Sequence, residues 1–380
     1  LLMSNTQPYP VNPDRNQPWN DLPPLPIDEG LYKKVEIYEQ LGRAKEALAL
    51  LAGRSIAIPN PAVLINSITL QEAKASSAIE NVFTTDDELY QGLSDLRDDA
   101  QVSGPTREVL RYREALWEGY DYLKAQGSFD RNYFIRLYQV IKQAKDGIRP
   151  PVSRVYIRQG GSGPNAGKPV YTPPRGRGII EEKLDNLALA LNGHSIPPDE
   201  PLLKMAMAHY QFEAIHPFRD GNGRAGRIMN IHILTYAGLL EYPILYLSRY
   251  IIENKDEYYD ALAGVSQRGD WGSWLLYMLK AVESASRLSY QKVNDIFLAR
   301  NAVLETLDSD TGMRRTDKLV EAIFTQPYTK VQHLVGNGLY AENTARSYLN
   351  QLVALGVMEK REVRGRHYYL NLDLHRILVE

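Results

Sequence analysis

Between His216 and Arg227 the chain reads HPFRDGNGRAGR, which brings three kinds of chemical group together in one short stretch. An imidazole titrates near ~6.5 when unperturbed, so His216 can take a proton from a hydroxyl at neutral pH. Asp220 can hold a hard cation, since magnesium binds through one or two carboxylates plus phosphate oxygens. Its ordinary alternative is to cap the helix that follows. From Gly221 through Asn222, Gly223, Arg224, Ala225, Gly226 and Arg227 the segment turns into a helix. Backbone N–H groups at such a turn, together with the helix dipole, favour an anion, and glycines allow it to approach closely. Asn222 can donate to a phosphate, and Arg224 and Arg227, three residues apart, can both reach one polyphosphate. Surface ion pairs are the alternative for these arginines. His209 precedes His216 by two helical turns and reads as a core group, Phe218 as a core anchor. Neither histidine has a carboxylate at a zinc-ligand spacing, so no zinc site is expected.

The elements that must position this segment are mostly helical. Apolar periodicity predicts a helix from Leu31 to Ala52, another over 62–80, and two across 105–145 that break near Gly127–Asp130, with Ser128 or Asp130 as the second one's cap. Residues 150–177 are dense in glycine and proline; 155–158 and 169–172 read as two short strands of a hairpin. Helical patterns return at 179–192 and 201–214. Because His216 precedes Pro217, that helix ends there and the histidine is biased toward an extended conformation. The motif helix runs from near Gly223 and should stop at Gly238. Further helices are expected at about 253–266 and 271–305. Residues 1–26 hold seven prolines, which preclude a regular helix and suggest an extended arm over the surface. From Arg314, three short helices and two alternating strands around Gly365 follow the order of a winged helix-turn-helix. The expected division is an arm at 1–26, a helical region at 27–104, a core at 105–313 and the winged helix at 314–380.

At every specified position, His216–Arg227 resembles the Fic family motif H-x-F-x-D/E-G-N-G-R-x-x-R. The expected fold is therefore mainly α: a Fic-type helical core with a small β-hairpin flap and a C-terminal winged helix. The resemblance implies a protein adenylyltransferase that moves AMP from ATP to a Tyr, Thr or Ser hydroxyl of a target protein. His216 would be the catalytic base, Asp220 the Mg2+ ligand, and Gly221–Arg227 the nucleotide site. Gly223 fits AMP transfer rather than the kinase-like branch, which carries lysine at that place. The 150–177 hairpin matches the flap that holds a target segment by strand addition, although VSRVYIRQGG departs from the usual flap wording. Val170 and Tyr171 are the flap residues expected nearest the nucleotide, and Tyr258 and Tyr259 resemble aromatic positions flanking adenine.

SSAIEN, at Ser76–Asn81, matches the family's inhibitory pattern S/T-x-x-x-E-G/N. Ser76 and Glu80 lie one helical turn apart and share a face. By resemblance Glu80 pairs with Arg227 and withdraws it from the γ-phosphate of ATP; the same carboxylate can position water for AMP removal. A solvated helix face is the ordinary reading of so short a pattern.

Composition narrows the setting. The chain contains no cysteine, which excludes disulfides, thiolate metal sites and cysteine nucleophiles. No apolar run approaches a membrane span and no export signal is visible, so the expectation is cytoplasmic. A net charge of −2 argues against wholesale coating of nucleic acid. The tail from Arg314 is mildly basic, and Lys360, Arg361, Arg364 and Arg366 cluster on the wing. The alternative function is thus a DNA-binding transcriptional regulator that uses the core as a nucleotide sensor; winged helices equally bind protein. A homodimer is a further expectation for such folds.

Overall fold

In this computed structural model, residues 9–12, 14–56, 60, 62–95, 102–158, 167–193, 200–309, 312–363 and 365–380 are described. Helix ends follow local chemistry. Helix α1 (Val35–Ile56) buries Ile37, Leu41, Ala44, Leu48 and Leu51 at three- and four-residue spacing and packs along α11 (Trp271–Asp308), the longest helix among the described residues. Helix α2 (Ala62–Ile79) is ended by Asn81, whose φ of 62° is a left-handed stop. A left-handed residue at this place suits Gly or Asn, the two residues on which the S/T-x-x-x-E-G/N pattern closes.

A short helix, α3 (Asp86–Ser94), follows at once. It opens on a reciprocal capping box between Thr85 and Glu88. Ser103 caps α4 (Gly104–Gln126), and Gly127 ends it at φ 70°. Asp130, not Ser128, caps α5 (Arg131–Lys142) by accepting from the Tyr133 amide. The hairpin is present as β1 (Ile157–Arg158) and β2 (Pro169–Tyr171), paired antiparallel.

Helices α6 (Ile179–Asn192), α7 (Pro201–Ile215) and α8 (Asn222–Tyr236) follow, then α9 (Leu247–Glu253) and α10 (Lys255–Arg268). Helix α7 is apolar almost all round, and the core closes over it from α8, α6 and α11. Gly238, at φ 71°, ends the α8 segment as expected. Among the described residues no helix is long and apolar enough to cross a membrane.

The C-terminal part contains α12 (Thr316–Phe324), β3 (Tyr328–Thr329), α13 (Val331–Gly336), α14 (Glu342–Ala354), β4 (Met358–Val363), β5 (Arg366–Asn371) and α15 (Leu372–Val379). Its antiparallel sheet has the order β3-β5-β4. The three helices and the hairpin fall where the sequence pattern puts them; β3 and α15 were not legible there.

Two of the basic wing residues do not face solvent freely. Arg366 pairs with Asp95 at 3.0 Å, and Arg361 approaches Asp87 at 3.7 Å and Glu359 at 3.0 Å. Lys330 also pairs with Asp95, and the Tyr328 hydroxyl donates to Asp87. Lys360 is exposed, and Arg364 lies outside the described residues. On its other side, α3 reaches back to α2 through Asp86, which pairs with Lys74 at 2.5 Å and accepts from Gln71.

The amino-terminal segment corrects the expectation of a surface arm. It is irregular, but Tyr9, Trp19, Leu22, Leu25 and Ile27 are all buried. The prolines rule out a helix; the apolar residues between them pull the chain into the core. Pro8 and Pro13 lie outside the described residues.

Candidate active site

His216 caps the C-terminus of α7, its N–H donating to the Phe212 carbonyl at 3.0 Å. Its backbone is left-handed (φ 48°, ψ 60°) rather than extended. Pro217 disfavours the right-handed helical well, and the left-handed well, which histidine tolerates better than most residues, lets the chain reverse into the loop. Burial, with help from the Arg149 guanidinium, lowers the imidazole to about 4, so it is neutral at pH 7. Its Nδ1 is buried and makes no hydrogen bond to the protein.

Arg149 was not legible as a site residue. It is 2% exposed and ties three backbone segments together. Its Nε donates to the His216 carbonyl at 2.8 Å, Nη2 to the Pro174 carbonyl at 2.5 Å, and its own N–H to Pro217. The flap's exit is thereby fixed against the histidine. Burial pulls this guanidinium down to about 10, and it remains charged. No sequence pattern marks such a residue, because all of its partners are distant carbonyls.

The loop from Pro217 to Gly221 is closed by Asn222. Its Oδ1 accepts from the Phe218 amide and its Nδ2 donates to the Phe218 carbonyl, both at 2.9 Å, and the side chain is buried. Asn222 therefore staples the loop, where the sequence reading had it donating to phosphate. Phe218 is fully buried and stacks on Tyr138 at 4.5 Å, the core anchor expected. Gly221 adopts φ 75° and opens α8, which no side chain caps. The N-terminal amides of α8 are thus left for an anion.

Asp220 does not cap α8. One carboxylate oxygen accepts from the adjacent Gly221 amide at 2.6 Å, and the other pairs with Lys142 at 2.6 Å. Burial raises this carboxyl, but Lys142 more than offsets that and leaves it below the usual range. No group of three or more His, Cys, Asp or Glu is arranged for a metal among the described residues. A 64% exposed carboxylate beside the uncapped N-terminus of α8 nevertheless fits magnesium, which takes one or two carboxylates and completes its shell with phosphate and water.

The two arginines are both buried and both paired. Arg224 Nη1 donates to Glu108 at 2.9 Å. Arg227 donates through Nε to Ser76 Oγ at 2.7 Å, and through Nη2 to the Ser76 carbonyl and to Glu80 Oε1, each at 2.9 Å. Burial alone would raise the Glu80 carboxyl; Arg227 reverses this and holds it low. Glu80 also lies directly against the first turn of α8. A Cβ placed on Gly223 would be 2.4 Å from Glu80 Oε1 and 2.9 Å from Arg227 Nη1. The carboxylate thus sits on the anion-favouring end of that helix. Lys255 supports the arrangement by donating to the Ile79 carbonyl at 2.6 Å.

Two further carboxyls back the site. Glu72 on α2 is buried and accepts from Tyr112, the Ser248 amide and the Ser248 hydroxyl. Glu213 lies beneath α8, its Oε1 2.6 Å from where a Cβ on Gly226 would stand. Burial pushes it up to about 8, so it is mostly protonated at pH 7. Ala225 is fully buried in the same turn.

The aromatic expectations divide. Tyr171 is buried, donates to the Ala214 carbonyl at 2.9 Å and meets Trp19 edge-on, so it anchors the flap from behind. Tyr258 is likewise buried, with its hydroxyl 2.8 Å from His209 Nε2. Both were expected to line the nucleotide, but bulky rings beside an apolar helix gain more from the core. Val170 is half-buried and Tyr259 is exposed, so these two remain accessible. His209 is a core residue as expected, stacked on Trp274 and lowered to about 3 by burial.

Three family descriptions match stretches of the chain. The Fic/DOC family N-terminal description matches residues 38–121, the Fic/DOC family description 128–234, and that of the Protein adenylyltransferase SoFic-like, C-terminal domain 315–374. The Protein adenylyltransferase fic-1 of Caenorhabditis briggsae is 31% identical over 115 residues, 30% of this chain and 21% of that protein. Its Caenorhabditis elegans counterpart is 32% identical over 106 residues, 28% of this chain and 20% of that protein. The chain spans about a fifth of the length of these curated relatives. For the fold, a Fic family protein from Desulfovibrio desulfuricans G20 superposes with a TM-score of 0.52 at 21% identity, covering 92% of this chain and 98% of that one. The chain thus carries a Fic/DOC family N-terminal region, a Fic/DOC family region holding the motif, and a SoFic-like C-terminal domain, in that order.

Proposed function

We propose that the chain is an autoinhibited protein adenylyltransferase. The observation that supports this best is the junction of α7 and α8, where a neutral imidazole adjoins an uncapped helix N-terminus. In this reading ATP places its phosphates on the α8 amides. His216 removes the proton from a Tyr, Thr or Ser hydroxyl of a target protein. The hydroxyl oxygen then attacks the α-phosphorus in line, the bond to the bridging oxygen breaks, pyrophosphate leaves, and AMP remains as a phosphodiester on the target. Asp220 would hold Mg2+, which supplies charge neutralisation on the phosphates.

Autoinhibition follows from Glu80. While it pairs with Arg227, that guanidinium cannot serve a γ-phosphate, and the carboxylate lies against the helix turn an anion would use. Activation is then the departure of Glu80. The test is incubation with Mg2+ and ATP labelled on the α-phosphate in a cell extract, comparing wild type, Glu80→Gly and His216→Ala. The reading expects label on protein, more with Glu80→Gly and none with His216→Ala; a folded Glu80→Gly that labels nothing ends it.

The DNA-binding alternative has weaker support. Arg361 and Arg366, which would meet a phosphate backbone, are already engaged by Asp87 and Asp95. Retardation of DNA that weakens steeply with salt would favour it.

A further inference from the structure

The hairpin β1–β2 has an edge that the chain itself partly covers. The Trp19 amide donates to the Thr172 carbonyl at 3.0 Å, at the residue just after β2. The Thr172 hydroxyl donates to the Arg15 carbonyl at 2.5 Å, and Asn20 Oδ1 accepts from the Arg175 amide at 2.9 Å. The Trp19 ring meets Tyr171 edge-on at 6.1 Å. This segment is itself anchored: Trp19 is 4% exposed and packs on Tyr9, which packs on Trp271 in the core. Farther along, the Asn12 amide donates to the Ser266 carbonyl at 2.8 Å.

The register of the hairpin slips beside this cover. Ile157 faces Tyr171 while Arg158 faces Pro169, so Val170 is the extra residue, with no partner in β1. Such bulges terminate pairing or re-aim a residue. Val170 is bounded by Thr172, whose carbonyl Trp19 has taken, and by Pro169, which has no N–H to give. The Tyr171 bond to Ala214, together with Arg149, ties this spot to the backbone just before and at His216.

We propose that the amino-terminal segment Arg15–Asn20 is a register stop for the target, with Trp19 as the positioning residue. A target strand entering along the flap can pair at Val170 but cannot run past Thr172. The distance along the target between the pairing residue and the modified hydroxyl is thereby fixed, and segments that need a long pairing edge are refused. This rests on the transferase reading proposed above and on the hairpin holding the target, as its resemblance to the family's flap implies.

The experiment compares Glu80→Gly with Glu80→Gly/Trp19→Ala, using the protein's own hydroxyls and extract proteins as acceptors. Hydrogen exchange of residues 167–177 is followed in the same proteins. The double variant is expected to keep the KM for ATP within about twofold. Its label transfer should fall roughly tenfold to a hundredfold, or spread to hydroxyls that Glu80→Gly does not modify, as small misplacements do. The Arg175 amide should exchange faster, and Trp19→Phe, which unlike Trp19→Ala keeps an aromatic edge against Tyr171, should restore both.

If Trp19→Ala does not fold, Asn20→Ala and Thr172→Val each remove one bond of the stop and should show the same direction of change. Equal rates and the same modified sites in the variants and in Glu80→Gly would overturn the proposal. Unchanged exchange over 167–177 would also overturn it, whatever the activity. Absence of labelling by Glu80→Gly itself, with exchange altered by Trp19→Ala, would instead mark failure of the transferase reading, and the target role of the stop would fall with it.

Discussion

Arg227 Nη2 donates at 2.9 Å both to Glu80 Oε1 and to the carbonyl of Ser76, while Nε holds the Ser76 hydroxyl. The guanidinium is thus bound to one turn of α2 by its side chains and its backbone together. Losing Glu80 alone removes the charge partner and leaves two neutral acceptors, so the arginine stays positioned but is no longer neutralised.

Glu80→Gly should therefore raise AMP transfer, on the order of the 5- to 150-fold typical of coupling between sites. Adding Arg227→Ala should abolish the gain, because the released arginine is what the activation uses. Initial rates of α-phosphate labelling for wild type, both single variants and the double variant give the coupling directly. Equal rates for wild type and Glu80→Gly would reduce SSAIEN to a solvated helix face.

His216→Ala should lower transfer by about 10²- to 10⁴-fold, the usual loss of a general base. The pH dependence is more specific. The ring is lowered to about 4, and the neutral form is the base, so activity is present above that value and lost as pH falls through it. Glu80 is among the charges favouring the protonated ring, so Glu80→Gly should not move this limb upward. A rate that already falls by half near pH 6.5 would show an imidazole without the described environment.

Lys142 pairs with the carboxylate on which the proposed reading places Mg2+. Lys142→Ala should lower the Mg2+ concentration for half-maximal labelling by about 1.5- to 5-fold, the size of an exposed ion pair. Asp220→Ala should lose Mg2+-dependent turnover more than ATP binding, measured by rate and by equilibrium binding. Activity indifferent to chelation would remove Asp220 from the reaction.

Asn222→Ala should destabilise the fold by about 1–3 kcal/mol, because the Phe218 amide and carbonyl lose their partners. Chemical denaturation checks this. An unchanged midpoint would mean that Phe218 alone holds the loop.

The motif and its supports were unequally legible. Helix ends at Gly127, Asp130 and Gly238 could be read because each residue acts within its own turn. The pairing of Glu80 with Arg227 followed from family resemblance, whereas the bonds from Arg227 to the Ser76 hydroxyl and carbonyl did not. Helix α3 was missed although Thr85 and Glu88 carry the capping-box signal; its nine residues are too few to show periodicity. Tyr171 and Tyr258 were placed at the nucleotide because ring chemistry does not reveal which way a ring turns. Arg149 and Trp19 act on backbone groups distant in sequence, where no local pattern exists to be read.

Helix α3 carries two attachments on one short rod. Asp86 grips α2 a few residues before Glu80, while Asp87 and Asp95 grip the C-terminal part through Tyr328, Lys330 and Arg366. Linkage makes such a coupling reciprocal. If lifting Glu80 off α8 shifts this rod, the proposed nucleotide binding and the grip on the C-terminal part change each other by the same factor. A change at the C-terminal part and an anion arriving at the first turn of α8 would then act on one equilibrium, each altering the other's affinity by one shared factor.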